Sequence, residues 1–111
     1  MRLITGILFF ILTANVVFAQ SSYHKMGQKA LIDGDFKSAV YNLEKALATD
    51  TSDVNTLYML GYSYYHASNY KAAVQTFTRL VSLKPSANSA YYYRGKARNI
   101  MANETNGISN I

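Results

Sequence analysis

The sequence predicts an all-α fold of antiparallel helix pairs stacked in tandem, and three observations predict it. Gly27, Gly61 and Gly95 are spaced 34 residues apart, twice over, and the same register aligns Ala39 with Ala73, Leu43 with Phe77 and Met26 with Leu60. Apolar residues fall at three- and four-residue steps in two segments, Phe36-Ala39-Val40-Leu43-Ala46-Leu47 and Tyr70-Ala73-Val74-Phe77-Leu80-Val81, giving each one apolar helical face. Asp33-Gly34-Asp35-Phe36 and Ala67-Ser68-Asn69-Tyr70 are turn formers placed where each helix should reverse into its partner.

Taken in order, the chain opens with Met1-Arg2, a nearly unbroken apolar run from Leu3 to Phe18, and small residues before the polar Gln20-Ser21-Ser22. That is the pattern of a secretory signal peptide over residues 1–19, cleaved after Ala19. An uncleaved anchor is the competing reading, but a spanning helix needs about 20 apolar residues, and this run is shorter and interrupted by Asn15. The protein is therefore expected to be exported, to a periplasm or the secreted space, with no membrane insertion after cleavage. Helices are expected near residues 21–33, 36–49, 54–67, 70–83 and 87–101, the fourth stopped by Pro85. Residues 103–111, rich in Asn, Ser, Thr and Gly, are expected as a flexible tail.

A helix glycine costs about 1 kcal/mol relative to alanine. Three of them in register imply that a neighbouring helix must approach closely, with Ala39 and Ala73 giving the same clearance from the other side. The middle unit reads Leu57-x2-Leu60-Gly61-x2-Tyr64, then Ala73-x3-Phe77, then Pro85. This arrangement resembles the tetratricopeptide repeat, with Leu57 where tryptophan is common. The first unit is a weaker copy with Thr51 at the proline place, and the third has Tyr91 and Gly95 but Arg94 and Arg98 where apolar residues are preferred. The resemblance implies a right-handed superhelical stack of two full units, about 20–53 and 54–87, and a half unit, 88–102, within a domain of residues 20–102.

The resemblance further implies a concave face lined by the first helix of each pair. Candidate groove residues are Gln28, Asn55, Tyr58, Tyr62, Tyr65, His66, Tyr92 and Lys96. Tyr58, Tyr62 and Tyr65 share a face at i, i+4, i+7, and Tyr92, 34 residues beyond Tyr58, is expected beside it. Tyrosine offers large contact area at low rotamer entropy, so the expected partner is a peptide segment or helix of another protein. Simple packing between helices is the competing reading for tyrosines, and the better one for Tyr64 and Tyr91, which occupy packing positions. A carboxylate clamp is not expected, because His24, Gln28, Met59, Ser89 and Tyr93 do not supply its lysines and asparagines.

Composition narrows the chemistry. There is no cysteine, which excludes disulfides and a lipid-modified cysteine. No phosphate loop, metal spacing or nucleophile constellation is present, so no catalytic residue, cofactor or metal is expected. Cleavage would remove Arg2 and no acid, lowering the formal net charge from +5 to +4. The basic residues form no dense stripe, so nucleic acid is not an expected partner, although Arg94, Lys96 and Arg98 lie close together as a basic patch for acidic partners. The half unit exposes a helix face that a second copy could cover, making a homodimer the alternative role.

Overall fold

The computed structural model describes residues 22–48 and 50–109, which form five helices. Helix α1 occupies 22–32, α2 Phe36–Leu47, α3 Val54–His66, α4 Tyr70–Leu83 and α5 Asn88–Ser109. Successive helices pack antiparallel, α2 on α3, α3 on α4 and α4 on α5, with α3 also touching α5. This is the expected stack of helix pairs. The expected signal peptide, 1–19, lies outside the described residues, and no described helix is long and apolar enough to cross a membrane.

Both turns within the pairs are built alike. At the first, the Gly34 amide donates to the Leu31 carbonyl at 3.1 Å and the Asp35 amide to Ala30 at 2.9 Å. At the second, Ser68 donates to Tyr65 at 3.1 Å and Asn69 to Tyr64 at 2.9 Å. This paired pattern closes a helix through a left-handed residue. Gly34 has φ +76° and Ser68 φ +63°. The next residue then starts the following helix: the Asp35 carboxylate accepts the Ser38 amide at 3.2 Å, and the Asn69 side-chain oxygen accepts the Ala72 amide at 3.3 Å. Between the pairs, Asp53 caps α3 through the Asn55 and Thr56 amides at 3.1 and 3.4 Å.

The core runs along the stack through Ala39, Leu43, Leu57, Leu60, Ala73, Phe77, Leu80, Ala90 and Ala97. The register glycines seat its bulkiest members. A Cβ on Gly27 would lie 2.6 Å from Leu43 Cδ2, and one on Gly61 2.7 Å from Phe77 Cε1. Each glycine of the first two units thus lets the second helix of its own pair close over it. On α5 the inward face is Ala90, Tyr93 and Ala97, which pack against α3 and α4.

One segment and two positions depart from the repeat register. Residues 103–109, expected as a loose tail, continue α5 as helix to Ser109. At Ala102, the counterpart of Gly34 and Ser68, the chain does not turn. Met26 aligns with buried Leu60 but is 44% exposed, because among the described residues no preceding pair covers α1. Tyr91 aligns with Leu57, which is 1% exposed, yet is itself 40% exposed, because no described helix closes over α5.

Candidate functional site

Helices α3 and α5 bring an aromatic cluster together. The α-helical period puts Tyr58, Tyr62, Tyr65 and His66 on neighbouring turns of α3. Tyr58 and Tyr62 stack with centroids 6.4 Å apart, and Tyr62 and His66 approach to 4.3 Å. From α5, Tyr93 meets Tyr62 and Tyr65 edge to face, each at 5.3 Å. Tyr92 packs on Tyr93 at 5.2 Å. Such edge-to-face pairs place the positive ring edge against the negative face. Behind the cluster, Phe77 contacts both Tyr58 and Tyr93 at 6.2 Å, so the same rings belong partly to the core.

Lys96 spans the outer rim. Its Nζ lies 5.9 Å from the Tyr65 ring centre and 5.1 Å from that of Tyr92, within the range of cation–π attraction. The neighbouring Tyr92 hydroxyl, then the Tyr65 and Tyr92 rings' phenolic charge, hold the Lys96 ammonium above its usual pKa. Burial among the rings, and secondarily the charge of Lys96, hold His66 below the usual imidazole value. His66 also stacks on Phe36 at 5.0 Å, tying the cluster to α2. Burial raises the Tyr93 phenol, and the neighbouring hydroxyls of Tyr62, Tyr58 and Tyr92 add to it.

Beside Tyr58 the surface opens into a cavity of about 300 Å³. Asn55 and Tyr58 line it from α3, Lys84 from the end of α4, and Ser89 from the start of α5. Its wall offers amide, hydroxyl and ammonium groups next to an aromatic ring, a surface that can bond a peptide backbone and seat a side chain.

Of the eight candidate residues, Tyr58, Tyr62, Tyr65, His66, Tyr92 and Lys96 form this one cluster, and Asn55 borders the cavity. Gln28, on α1, is exposed and joins neither. Tyr58, Tyr62 and Tyr65 are half-buried, which leaves His66, Lys96 and Tyr92, the last 59% exposed, as the exposed members. Tyr92 was expected beside Tyr58, but its ring partner is Tyr93. The sequence reading passed over Tyr93, the hub of the cluster; its spacing of three and four from Ala90 and Ala97 marks it as inward-facing. Tyr64 is half-buried, as its packing position implies, and its hydroxyl donates to the Glu44 carboxylate of α2. Burial, then that carboxylate, raises its pKa far above a free phenol. Tyr91 is a correction: at a packing position it is 40% exposed, with the Arg94 guanidinium over its ring at 5.2 Å. His24, half-buried on α1, is hydrogen-bonded through Nδ1 to Thr56 Oγ1 at 2.9 Å. Because Thr56 gives its one proton to Asp53, Nδ1 of His24 is the donor there.

Among the described residues no group of His, Cys, Asp and Glu could hold a metal ion. Residues 33–98 match a family model of tetratricopeptide-like repeats described as anaphase-promoting complex, cyclosome, subunit 3. The chain belongs to the tetratricopeptide repeat family. The fold of this tetratricopeptide repeat protein is similar to the crystal structure of MamA protein, with a TM-score of 0.70 and 29% sequence identity over 75% of this chain. The match covers 45% of that chain, so the sequence spans less than half the length of the solved structure it matches. No curated protein matches it. Tetratricopeptide-like folds bind other proteins and are typically non-enzymatic scaffolds, and in this repeat array α3 and α5 supply the aromatic surface.

Proposed function

We propose that the chain is a non-enzymatic adaptor or assembly factor that holds a peptide segment or helix of another protein in the cleft between α3 and α5. The observation that carries this reading is that the same two helices, α3 and α5, carry the cation–aromatic rim of Tyr65, Tyr92 and Lys96 and border the open cavity at Asn55, Tyr58 and Ser89. Aromatic rings supply contact area, and the polar groups of the cavity satisfy a bound backbone. The apolar run of residues 3–18 supports export, and hence a partner in the cell envelope or the secreted space.

Affinity capture on an envelope extract tests the reading. Wild type should retain a specific protein that a Tyr92→Ala/Lys96→Ala/Asn55→Ala variant loses while its melting curve stays intact. Retention by both counts against the cleft. Self-association through α5 is the second reading, motivated by the exposed Gly95; it requires a dimeric mass in light scattering of the same sample.

A further inference from the structure

The three register glycines have unequal surroundings. Gly27 and Gly61 lie under the side chains of Leu43 and Phe77, but a Cβ built on Gly95 meets nothing within 4 Å. In α3 the stripe Leu57, Gly61, Tyr64 is closed over by neighbouring helices. The equivalent stripe on α5, Tyr91, Gly95, Arg98 and Ala102, is exposed along its length. It points away from Ala90, Tyr93 and Ala97, so it is separate from the aromatic cleft.

Charge indicates what fits there. Residues 54–103 contain no Asp or Glu, and carry Lys71, Arg79, Lys84, Arg94, Lys96 and Arg98. Arg94 and Arg98 flank Gly95. The Arg94 guanidinium rests over Tyr91, with a long 3.4 Å contact to Thr78 Oγ1, and among the described residues no carboxylate forms an ion pair with either arginine. A symmetric dimer through this face would set the arginines of one copy against those of the other, and like charges brought together oppose association. Of a second copy's acids, Glu104 lies two residues beyond Ala102 and so on the other side of α5 from the stripe, and those of 33–53 are already engaged. Asp33 pairs with Lys29, Asp35 bonds Ser38, Glu44 accepts from Tyr64, Asp50 bonds Ser52 and Asp53 caps α3.

We propose that the Tyr91–Gly95–Arg98–Ala102 stripe of α5 is a docking seat for an acidic amphipathic helix of a partner protein. That helix lies where the second helix of a third pair would lie. A bulky apolar side chain sits over Gly95, as Phe77 sits over Gly61, and flanking carboxylates meet Arg94 and Arg98. Helix-in-groove recognition supplies the apolar contact, and the charge pairs select the partner and its orientation.

Two labelled synthetic peptides test the seat by fluorescence anisotropy. One copies the α4 segment, residues 70–83, and the other is the same segment with Lys71→Glu and Arg79→Glu. The acidic peptide should bind the chain at least tenfold more tightly than the basic one, and added salt should weaken it. Gly95→Leu has free space to fold into and should weaken the acidic peptide tenfold or more while melting no lower than wild type. Arg94→Glu/Arg98→Glu should reverse the preference between the two peptides. No binding, equal binding of both, or indifference to Gly95→Leu overturns the proposal. So does a dimeric mass in light scattering that Gly95→Leu reduces to a monomer, which assigns the seat to a second copy.

Discussion

Substituting each register glycine by alanine gives three different results from one chemical change. Alanine in a helix interior is favoured over glycine by about 1 kcal/mol. At Gly95 nothing lies within 4 Å of the new methyl, so the whole of that gain is expressed. At Gly61 the methyl would sit 2.7, 2.8 and 2.9 Å from three ring carbons of Phe77, a fully buried side chain with no room to withdraw. Overpacking of this kind costs about 1–3 kcal/mol, which offsets the helix gain and leaves a net loss of up to about 2 kcal/mol. Gly27 should behave similarly, its methyl falling 2.6 Å from two carbons of Leu43. For a domain of this size each kcal/mol moves Tm by roughly 4–8 °C. Circular-dichroism melts should therefore show Gly95→Ala raised by roughly that amount, and Gly27→Ala and Gly61→Ala lowered, by up to about twice that amount. A Gly95→Ala variant that melts lower than wild type would refute the reasoning, because it would mean that the outer face of α5 is covered in solution.

Two further perturbations follow from named contacts. Ser68→Gly relieves a left-handed backbone in a residue with a Cβ, a strain of about 1–2 kcal/mol partly offset by the entropy of glycine; Tm should rise by the equivalent of about 0.5–1 kcal/mol, and a fall would show that the serine side chain is itself needed. His66 is held below its usual pKa of 6.5, so the unfolded chain takes up a proton there before the folded chain does. Its contribution is fully present above about pH 6.5 and is lost as pH falls through that value towards the folded pKa. The difference in denaturation midpoint between wild type and His66→Gln should accordingly change between pH 7.5 and pH 5, and a constant difference would count against the depressed imidazole.

The middle of the array was legible because each of its positions has a neighbour on both sides. Gly61, Ala73, Phe77 and Pro85 carry geometric demands that recur every 34 residues, and local chemistry at Asp35, Asp53 and Asn69 marks the helix starts. A repeat register treats every unit alike, whereas among the described residues the first and last helices have a neighbour on one side only. That is why Met26 and Tyr91, aligned with buried residues, are exposed. The site was legible in part for a related reason. Tyr58, Tyr62 and Tyr65 share a face of one helix, which spacing alone shows. Whether Tyr92 or Tyr93 completes that face depends on how far α5 rotates against α3, and three consecutive tyrosines leave the choice open until Ala90 and Ala97 are seen to point inward.

The turn at residue 68 also bears on the length of α5. Asn69 closes α3 and opens α4, and Asn103 stands at the same place one period later, ready for the same double role. What separates the two outcomes is the backbone torsion at Ala102, which has neither the freedom of Gly34 nor the turn preference of Ser68. The reversal made at Gly34 and Ser68 thus has no counterpart at Ala102, and α5, helical to Ser109, outreaches each helix before it.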